Sequence, residues 1–471
     1  MTAPQRRLVV VGGGIAGLSA AWTAAGRGFD VVVLEASPRV GGKLLTARLA
    51  GVPLDVGAEA LLTTRPEAVA LLDEAGLAGE RIAPLTTAAR VRAGGRSWAL
   101  PARTMMGIPT DSEAVRASGV LTPDALARID AEPDREPLPP LDGDVAVGAL
   151  VRERLGDEIA DRLVEPLLGG VYSGRADALS LRATVPALAA RLTDGGSLVT
   201  AARGIVGAGT RAPGAGPVFT SLRGGLGRLP ATLAASGRFA VRTSVTVRSI
   251  ERTPTGFALE TGAVPAAERI EADLVIVAVP PAKAARLLGR LAPVAAHELA
   301  DVETASSAIV SLAFRGVDLP EGSGLLVGTG ERLATKAVTL SSNKWPLETG
   351  TADGTVLLRA SVGRAGEPQA LQLPDDELVR LVRRELHPLV GVSAEPVDAL
   401  VTRWGGGLPQ YGVGHVERVS RIRAAVAAVP GLAVCGATYD GVGVPACIAS
   451  AHAAVARLDP AAGRGGHWDH G

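Results

Sequence analysis

The sequence predicts an α/β protein with a Rossmann-like parallel sheet near its start. Residues 7–12 (RLVVVG) and 29–35 (FDVVVLE) are short β-branched runs of the kind that forms buried parallel strands. Small and apolar residues from 14 to 27 are typical of a helix packed closely against such a sheet. The first run leads into glycines with the spacing Gly-x-Gly-x-x-Gly, and the second run ends in a carboxylate. This combination predicts a strand–turn–helix–strand unit that binds a dinucleotide.

Each glycine of this turn has a physical task. Gly12 permits a tight turn, Gly14 lets the backbone approach a pyrophosphate, and Gly17 allows close contact between helix and strand. The N-terminus of the helix then faces the phosphates with unpaired N–H groups and the positive end of its dipole. Glu35 is placed to accept hydrogen bonds from ribose hydroxyls and would repel a 2′-phosphate, which disfavours NADP. The alternative interpretation is a glycine-rich turn without a ligand.

The residues after Glu35 distinguish between two dinucleotides. A second glycine-rich, basic loop contains Arg39, Gly42 and Lys43, and the segment LDVGAE follows at 54–59. The two motifs together resemble the signature of the amine oxidase and protoporphyrinogen oxidase superfamily of flavoproteins. The resemblance implies FAD rather than NAD, with the second segment wrapped around the pyrophosphate and the flavin edge.

The same resemblance implies that FAD is bound without a covalent link. Covalent members of the superfamily use a cysteine of a motif that contains neither Cys435 nor Cys447. Both cysteines lie in apolar surroundings, so we expect buried, reduced thiols rather than a disulfide.

Three later segments are predicted to return to the FAD domain. Residues 225–253 are typical of a helix and a strand, 271–288 of a buried strand ending in Pro280-Pro281, and 431–458 of a strand, a glycine-rich turn and a helix. The last helix is expected to point its N-terminus at O2 and N1 of the flavin, where it would stabilise negative charge on the reduced ring. The resemblance implies that Val247 contacts adenine and that Trp404 packs near the flavin. The predicted cofactor-binding residues are Gly12, Gly13, Gly14, Ile15, Ala16, Gly17, Glu35, Ala36, Arg39, Gly42, Lys43, Gly57, Ala58, Glu59, Ala60, Val247, Trp404, Gly436, Val442, Gly443 and Val444.

Two insertions separate these segments. Amphipathic helical patterns predict a helical insertion, interrupted by a Pro- and acid-rich loop at 130–144 that is expected to be solvated and mobile. Strand-like runs alternating with one helix predict an α+β substrate domain with an antiparallel sheet. The predicted division is an FAD-binding domain of residues 1–84, 215–285 and 401–460, a substrate-binding domain of 85–100 and 286–400, a helical insertion of 101–214, and a flexible C-terminal tail of 461–471.

Motifs within and between the insertions carry a narrower resemblance. The segments TMMGIPTD (104–111), EPLLGGVYSG (165–174), FTSLRGGLGRLP (219–230) and LPQYGVGHVER (408–418) resemble protoporphyrinogen/coproporphyrinogen oxidases. This resemblance implies an FAD domain of the p-hydroxybenzoate hydroxylase type. It also implies that a porphyrinogen loses six electrons and six protons in three hydride transfers to flavin N5. Dioxygen would reoxidise the flavin each time and release hydrogen peroxide.

The implied chemistry needs positioning more than acid–base side chains, because the substrate gains aromaticity. We therefore assign no catalytic side chain. Arg65 is where relatives place a cation against a substrate propionate, although an exposed arginine capping the next helix is the alternative. Gly170 matches a glycine whose carbonyl approaches the pyrrole nitrogens, although a helix-ending glycine is the alternative. Tyr411 and His415 lie in a family motif without an assigned role, and His415 is taken as structural.

Two porphyrinogens compete as substrate. The chain resembles the Gram-positive bacterial type that uses coproporphyrinogen III, so this is the predicted substrate, with protoporphyrinogen IX as the alternative. Ferrochelatase is a candidate for transient contact from pathway logic alone. More distant alternatives are an amine oxidase or carotenoid desaturase, and a flavoprotein without catalytic activity.

The composition gives no reason to expect nucleic acid or a metal ion as a further ligand. The 48 basic and 48 acidic side chains balance, which gives no reason to expect nucleic acid, and the six histidines have no ligand-like spacing, which gives no reason to expect a metal. The first apolar strand begins only a few residues after Met1, so no targeting segment is expected. We expect a cytoplasmic protein with at most peripheral membrane contact.

Overall fold

The computed structural model describes residues 5–208, 216–263, 266–347 and 354–459. The predicted tail at 461–471 lies outside the described residues. The helices are α1 (Ile15–Gly26), α2 (Pro66–Glu74), α3 (Ser112–Arg116), α4 (Pro123–Ala131), α5 (Val147–Leu155), α6 (Asp157–Ile159), α7 (Glu165–Tyr172), α8 (Leu181–Thr184), α9 (Pro186–Arg191), α10 (Leu198–Ala208), α11 (Arg228–Ala235), α12 (Pro281–Leu288), α13 (Pro293–Ala300), α14 (Ser341–Lys344), α15 (Asp375–Val390), α16 (His415–Ala427) and α17 (Val444–Leu458). The strands are β1 (Arg7–Val11), β2 (Asp30–Leu34), β3 (Thr46–Leu49), β4 (Val52–Asp55), β5 (Leu61–Leu62), β6 (Arg81–Ile82), β7 (Ala89–Ala93), β8 (Arg96–Ala99), β9 (Thr104–Met105), β10 (Ile108–Pro109), β11 (Phe219–Leu222), β12 (Ala240–Arg242), β13 (Val247–Arg252), β14 (Phe257–Thr261), β15 (Glu268–Ala272), β16 (Leu274–Val277), β17 (Thr304–Arg315), β18 (Gly324–Val327), β19 (Thr335–Thr339), β20 (Thr355–Val362), β21 (Asp398–Pro409) and β22 (Leu432–Val434).

A five-stranded parallel sheet forms the centre of the dinucleotide-binding unit and confirms the predicted fold class. Its order is β12-β2-β1-β16-β22, so the three later segments supply β12, β16 and β22 as predicted. Helices α1 and α17 pack on one face of the sheet, while α12, α13, α16 and the antiparallel β13-β14-β15 sheet pack on the other. Strand β1 lies between β2 and β16, where the connections leave in opposite directions. In such sheets the ligand binds outside the carboxyl ends of the strands at this point.

A second sheet has seven strands in the order β21-β17-β20-β19-β18-β7-β8. It is antiparallel throughout except for the parallel pair β18 and β7, in broad agreement with the predicted antiparallel sheet. The amphipathic helix α15 covers one face with Leu378, Val382 and Leu386. Strand β21 runs across the predicted domain boundary at 400/401. Helix α13 lies within the range 286–400 predicted for the substrate-binding domain, but it packs with α12 in the core of the five-stranded sheet.

The helical insertion packs around its own apolar core. The continuous helical pattern at 147–171 is interrupted at Gly156, whose φ of +92° ends α5, and it continues through a π-helical stretch at Ala160–Val164 into α7. Within the described ranges, none of the helices combines the length and apolar character needed to cross a membrane.

The prediction of a solvated loop at 130–144 is wrong at its start. Helix α4 runs to Ala131, and Glu132 is fully buried, with its carboxylate bonded to Arg154 and to the first N–H groups of α10. Leu138 is also buried and exchanges two backbone hydrogen bonds with Gly196. The acidic composition of the segment predicts exposure to solvent. The residues that bury its start, Arg154, Gly196 and the first residues of α10, lie later in the chain and do not show in the local composition.

Candidate functional site

The turn after β1 carries no side chains at the positions where the neighbouring backbone leaves no room. A Cβ on Gly12, whose φ is +110°, would lie 2.5 Å from the Ala278 carbonyl oxygen, and a Cβ on Gly17 would lie 1.9 Å from the Gly12 carbonyl oxygen. Gly14, in contrast, has open space in the direction of a Cβ. No side chain of the described residues caps α1, so its first N–H groups remain available for an anion. This geometry fits a pyrophosphate.

Glu35 sits at the end of β2 beside this turn. Its Oε2 accepts from the N–H of Gly13 at 2.6 Å, and its Oε1 accepts from the N–H of Ser37 at 2.8 Å. Each carboxylate oxygen can accept a further hydrogen bond, so the ribose role remains open to it. The Glu35 carbonyl accepts from the N–H of Val245, which brings the start of β13, with buried Val247, next to Glu35 and Ala36.

The second glycine-rich loop packs directly on the first. The N–H of Gly41 donates to the Gly13 carbonyl at 2.8 Å, and a Cβ on Gly42 would lie 3.3 Å from Cα of Gly14. Arg39 donates to the Gly42 carbonyl at 3.1 Å, and its guanidinium lies 6.0 Å from the Trp404 ring centre. The two loops therefore form one cradle, as the coupled motifs predict.

Lys43 leads from this loop to the next part of the cradle. Its side chain stays accessible, although the surrounding protein desolvates the amine and lowers its pKa. A Cβ on Gly57 would lie 2.0 Å from the Lys43 carbonyl oxygen, which also accepts from the N–H of Ala58. Trp404 donates from Nε1 to the Val56 carbonyl at 2.9 Å.

The side chain of Glu59 is engaged by two cations that the sequence did not single out. Lys344 Nζ lies 2.5 Å from Oε1, and Arg359 Nη2 lies 2.8 Å from Oε2. Burial by itself raises the pKa of Glu59, but the charges of Arg359 and Lys344 lower it overall. Arg359 also donates to the Gly57 carbonyl at 3.2 Å. This ion-pair network holds the Glu59 side chain and links it to the Gly57 carbonyl, and cofactor contact by Glu59 and Ala60 stays a prediction.

The loop between β22 and α17 closes the cradle. Gly436 and Gly441 have φ of +125° and +133°, and a Cβ on Gly436 would lie 3.8 Å from the Ala16 Cβ at the start of α1. Gly443 precedes α17, whose N-terminus receives no side-chain cap within the described residues. Both α1 and α17 therefore begin without a side-chain cap among the described residues, and the loop that leads into α17 approaches the start of α1. Val442 precedes α17, and Val444 is its first residue.

Helix α7 carries Gly170, the first predicted substrate residue. Gly170 is exposed and lies inside the helix, two positions before its end at Tyr172, so the helix-ending alternative is wrong. Ser173 ends the helix instead, in the left-handed conformation with φ of +54°. A Cβ on Gly170 would lie 3.2 Å from the side chain of Leu326 on β18, so α7 and the seven-stranded sheet approach each other closely at Gly170.

A buried lysine holds the end of α7. Lys336 of β19 donates from Nζ to Ser173 Oγ and is only 6% exposed. Burial, assisted by the charge of Arg364, lowers the pKa of Lys336 to about 7.

We expect Lys336→Met to raise the stability of the protein near pH 7 by about 2–4 kcal/mol. Between pH 7 and the ordinary pKa of 10.5, the unfolded chain binds a proton that the folded chain does not. Wild-type stability therefore rises with pH across this window, and the variant lacks that rise. The measurement is the thermal unfolding midpoint as a function of pH, with exposed Lys283→Met as the matched control. Identical pH dependence of wild type and Lys336→Met would contradict the prediction.

Arg65, the second predicted substrate residue, precedes α2. Its side chain is 44% exposed, lies 2.8 Å from Glu67 Oε1 and makes no capping hydrogen bond to the helix. The guanidinium is therefore accessible to a carboxylate, and its substrate role stays a prediction.

The arrangement indicates what chemistry the site supports. The cradle residues are mainly glycine and small apolar residues around two helix N-termini, so the protein supplies binding and orientation to an anionic dinucleotide. The described residues contain no cluster of three or more His, Cys, Asp or Glu placed to hold a metal ion.

Comparison with known proteins agrees with this geometry. The model of the family described as flavin containing amine oxidoreductase matches residues 15–459. The chain is 40% identical over 461 residues to a protein of Mycobacterium leprae (strain TN) named coproporphyrinogen III oxidase, covering 96% of this chain and 98% of the relative. It is 31% identical over 479 residues to a Bacillus subtilis (strain 168) protein of the same name, covering 97% and 98%. A crystal structure of a provisionally named protoporphyrinogen oxidase from Exiguobacterium sp. 255-15 has a TM-score of 0.85 and 31% identity, with 98% and 100% coverage.

Proposed function

The chain belongs to the flavin-containing amine oxidoreductase family, among its porphyrinogen oxidases, and we propose that it oxidises coproporphyrinogen III to coproporphyrin III in haem biosynthesis. The observation that carries the proposal is the match over nearly the full chain to relatives named for this activity. The resemblance in the segments 165–174 and 408–418 supports it, since these segments resemble porphyrinogen oxidases and not only the wider flavoprotein superfamily.

FAD fits the cradle, and its binding falls to the residues described above. FAD would supply a hydride acceptor at N5 and, with dioxygen as the final acceptor, hydrogen peroxide would be released in each of three rounds. The N-terminus of α1 and Gly14 would hold the pyrophosphate, Glu35 the ribose, and the N-terminus of α17 the pyrimidine edge.

A non-covalent mode of binding is supported by the state of the two thiols. Cys435 and Cys447 are both buried, and burial raises the pKa of each, that of Cys447 to about 11. Neither is therefore a thiolate that would attack the cofactor at neutral pH. Two free, reduced thiols also support the proposed cytoplasmic location.

A tetrapyrrole with propionate side chains needs a flat cavity beside the flavin and anion-binding groups at the rim of that cavity. We propose that α7 at Gly170 forms one wall, where the exposed backbone of the helix lies open to a macrocycle. We propose that accessible Arg65 binds a propionate bidentately. No side chain is assigned as acid or base, because aromatisation supplies the driving force. Dioxygen is the proposed acceptor, and transient contact with ferrochelatase is proposed from pathway logic alone.

We expect the purified holoenzyme to turn over coproporphyrinogen III with about tenfold higher kcat/KM than protoporphyrinogen IX. Coproporphyrinogen III carries two more propionates, and one further ion pair to a propionate is worth about that factor. Porphyrin fluorescence and peroxide are measured together, and the spontaneous rate in air without protein is subtracted. Faster turnover of protoporphyrinogen IX would favour the second candidate, which the name of the Exiguobacterium structure supports. Absence of peroxide with either substrate would indicate a flavoprotein without this activity.

A further inference from the structure

The motif PQYGVGH joins β21 to α16 and carries two buried rings, Tyr411 and His415, which are 2% and 5% exposed. The rings stack on each other with centroids 4.2 Å apart and an interplanar angle of 17°. Neither ring belongs to the cradle. Their burial, despite the polar atoms that both rings carry, therefore needs an explanation other than direct cofactor binding.

Both rings bind the loop between β22 and α17. The Tyr411 hydroxyl donates to the Ala437 carbonyl, and His415 Nε2 lies 2.9 Å from the Thr438 carbonyl oxygen. A carbonyl only accepts, so Nε2 carries the proton, and burial lowers the pKa of His415 so that the ring is neutral. Two consecutive carbonyls of one loop are thus held by one stacked pair.

The other side of the same motif binds α7. The Tyr411 ring lies 5.6 Å from the Tyr172 ring at 53°, and Gln410 donates from Nε2 to the Tyr172 carbonyl at 2.8 Å. The Tyr411 carbonyl accepts from the N–H of Ser180 at 2.8 Å. The motif therefore connects the helix that carries Gly170 with the loop that leads into α17.

This loop needs an external anchor. Residues 436–443 contain Gly436, Gly441 and Gly443, two of them in the positive-φ region, and glycine-rich backbone is costly to hold in one conformation. We propose that Tyr411 and His415 are positioning residues that fix this loop and thereby set the N-terminus of α17 against the pyrimidine edge of FAD. The proposal depends on flavin binding and not on which porphyrinogen is oxidised.

The expected consequence is a weaker hold on the reduced cofactor, since its negative charge interacts most with the helix N-terminus. Tyr411→Phe keeps the stacked ring and loses only the hydroxyl bond to Ala437. We expect it to raise the dissociation constant of reduced FAD about tenfold more than that of oxidised FAD. That ratio lowers the two-electron potential of the bound flavin by about 30 mV. His415→Leu should do the same, and His415→Gln, whose amide can donate to Thr438, should restore part of the loss.

A hydroxyl in the same loop gives the matched control. Tyr439 is buried, and its hydroxyl has no hydrogen-bond partner among the described residues, so Tyr439→Phe should leave the potential and the FAD affinity unchanged. Potentials are measured against a reference dye and affinities by flavin titration, both without porphyrinogen, so failure of the proposed substrate does not affect the result. Equal behaviour of Tyr411→Phe and Tyr439→Phe, or a loss of thermal stability with an unchanged potential, would overturn the proposal. If His415→Leu does not fold, the Tyr411→Phe and His415→Gln pair decides.

Discussion

Gly17→Ala is expected to weaken FAD binding at least about a hundredfold and to yield a colourless protein. The new Cβ would lie 1.9 Å from the Gly12 carbonyl oxygen and 3.4 Å from the Ala278 Cβ. Because the obstructing atom belongs to the backbone of the turn, either α1 must move away from β1 or the turn must open. Overpacking of this kind costs about 3 kcal/mol, and every 1.4 kcal/mol is a factor of ten in affinity. The measurement is the flavin content after purification, followed by titration of the apoprotein with FAD.

The same helix supplies the control. Gly26, the last residue of α1, is exposed and has open space around the direction of a Cβ. Gly26→Ala should retain full flavin content and change stability by no more than about 1 kcal/mol, since alanine is the better helix former. A Gly17→Ala protein that purifies with its flavin would show that the turn is not the pyrophosphate site.

Prediction from sequence succeeded where the determinants are local. The strand–turn–helix–strand unit at the start was placed to within one residue at its strand and helix ends, because β-branched runs and steric demands on glycine act over a few residues. The coupled loop with Arg39 and Lys43 also packs where the motif requires, on the backbone of Gly13 and Gly14.

Prediction failed where the determinants lie far apart in the chain. Arg359 and Lys344 fix Glu59 from about 300 positions away, and only the pairing of distant strands brings them together. A charged residue within the otherwise apolar run of β20 was a signal that could have found Arg359. For Gly170 the structure excludes only the helix-ending alternative, because Ser173 takes the left-handed position and Lys336 holds it, and the substrate contact stays a prediction.

Glu132→Ala is expected to lower the free energy of unfolding of the helical insertion by about 3–5 kcal/mol, the largest stability loss predicted for a side-chain truncation in this protein. The carboxylate is fully buried, accepts from Arg154 Nε at 2.9 Å and from the N–H groups of Leu198 and Val199 at 2.9 and 3.1 Å, and also binds the Ser197 hydroxyl. Truncation leaves Arg154 without its buried counter-ion and removes the acceptor of the first two N–H groups of α10. Urea unfolding followed by fluorescence and by circular dichroism measures the loss and tests whether the insertion unfolds separately.

The pH dependence of this carboxylate has a definite sign. Burial alone would raise the pKa of Glu132, but hydrogen bonds from Ser197, Leu198, Val199 and Arg154 lower it below its ordinary value of 4.5. A carboxylate whose pKa is lower in the folded state stabilises the protein above the unfolded pKa. That contribution is lost as pH falls below 4.5. The wild type should therefore lose stability in this acid range more steeply than Glu132→Gln, which carries no titrating group at this position.

A double variant separates the buried charge from the helix cap. In Glu132→Leu with Arg154→Met, no unpaired charge is left in the core, and apolar replacement of a buried ion pair is often close to neutral. The N–H groups of Leu198 and Val199 still lack their acceptor, although Ser197 continues to accept from Thr200, which leaves a loss of about 1–2 kcal/mol. The double variant should thus be more stable than Glu132→Leu alone, even though it carries one more substitution. If it were less stable than the single variant, the pair would not be coupled, and the stability of the insertion would have to come from its apolar core and not from this carboxylate.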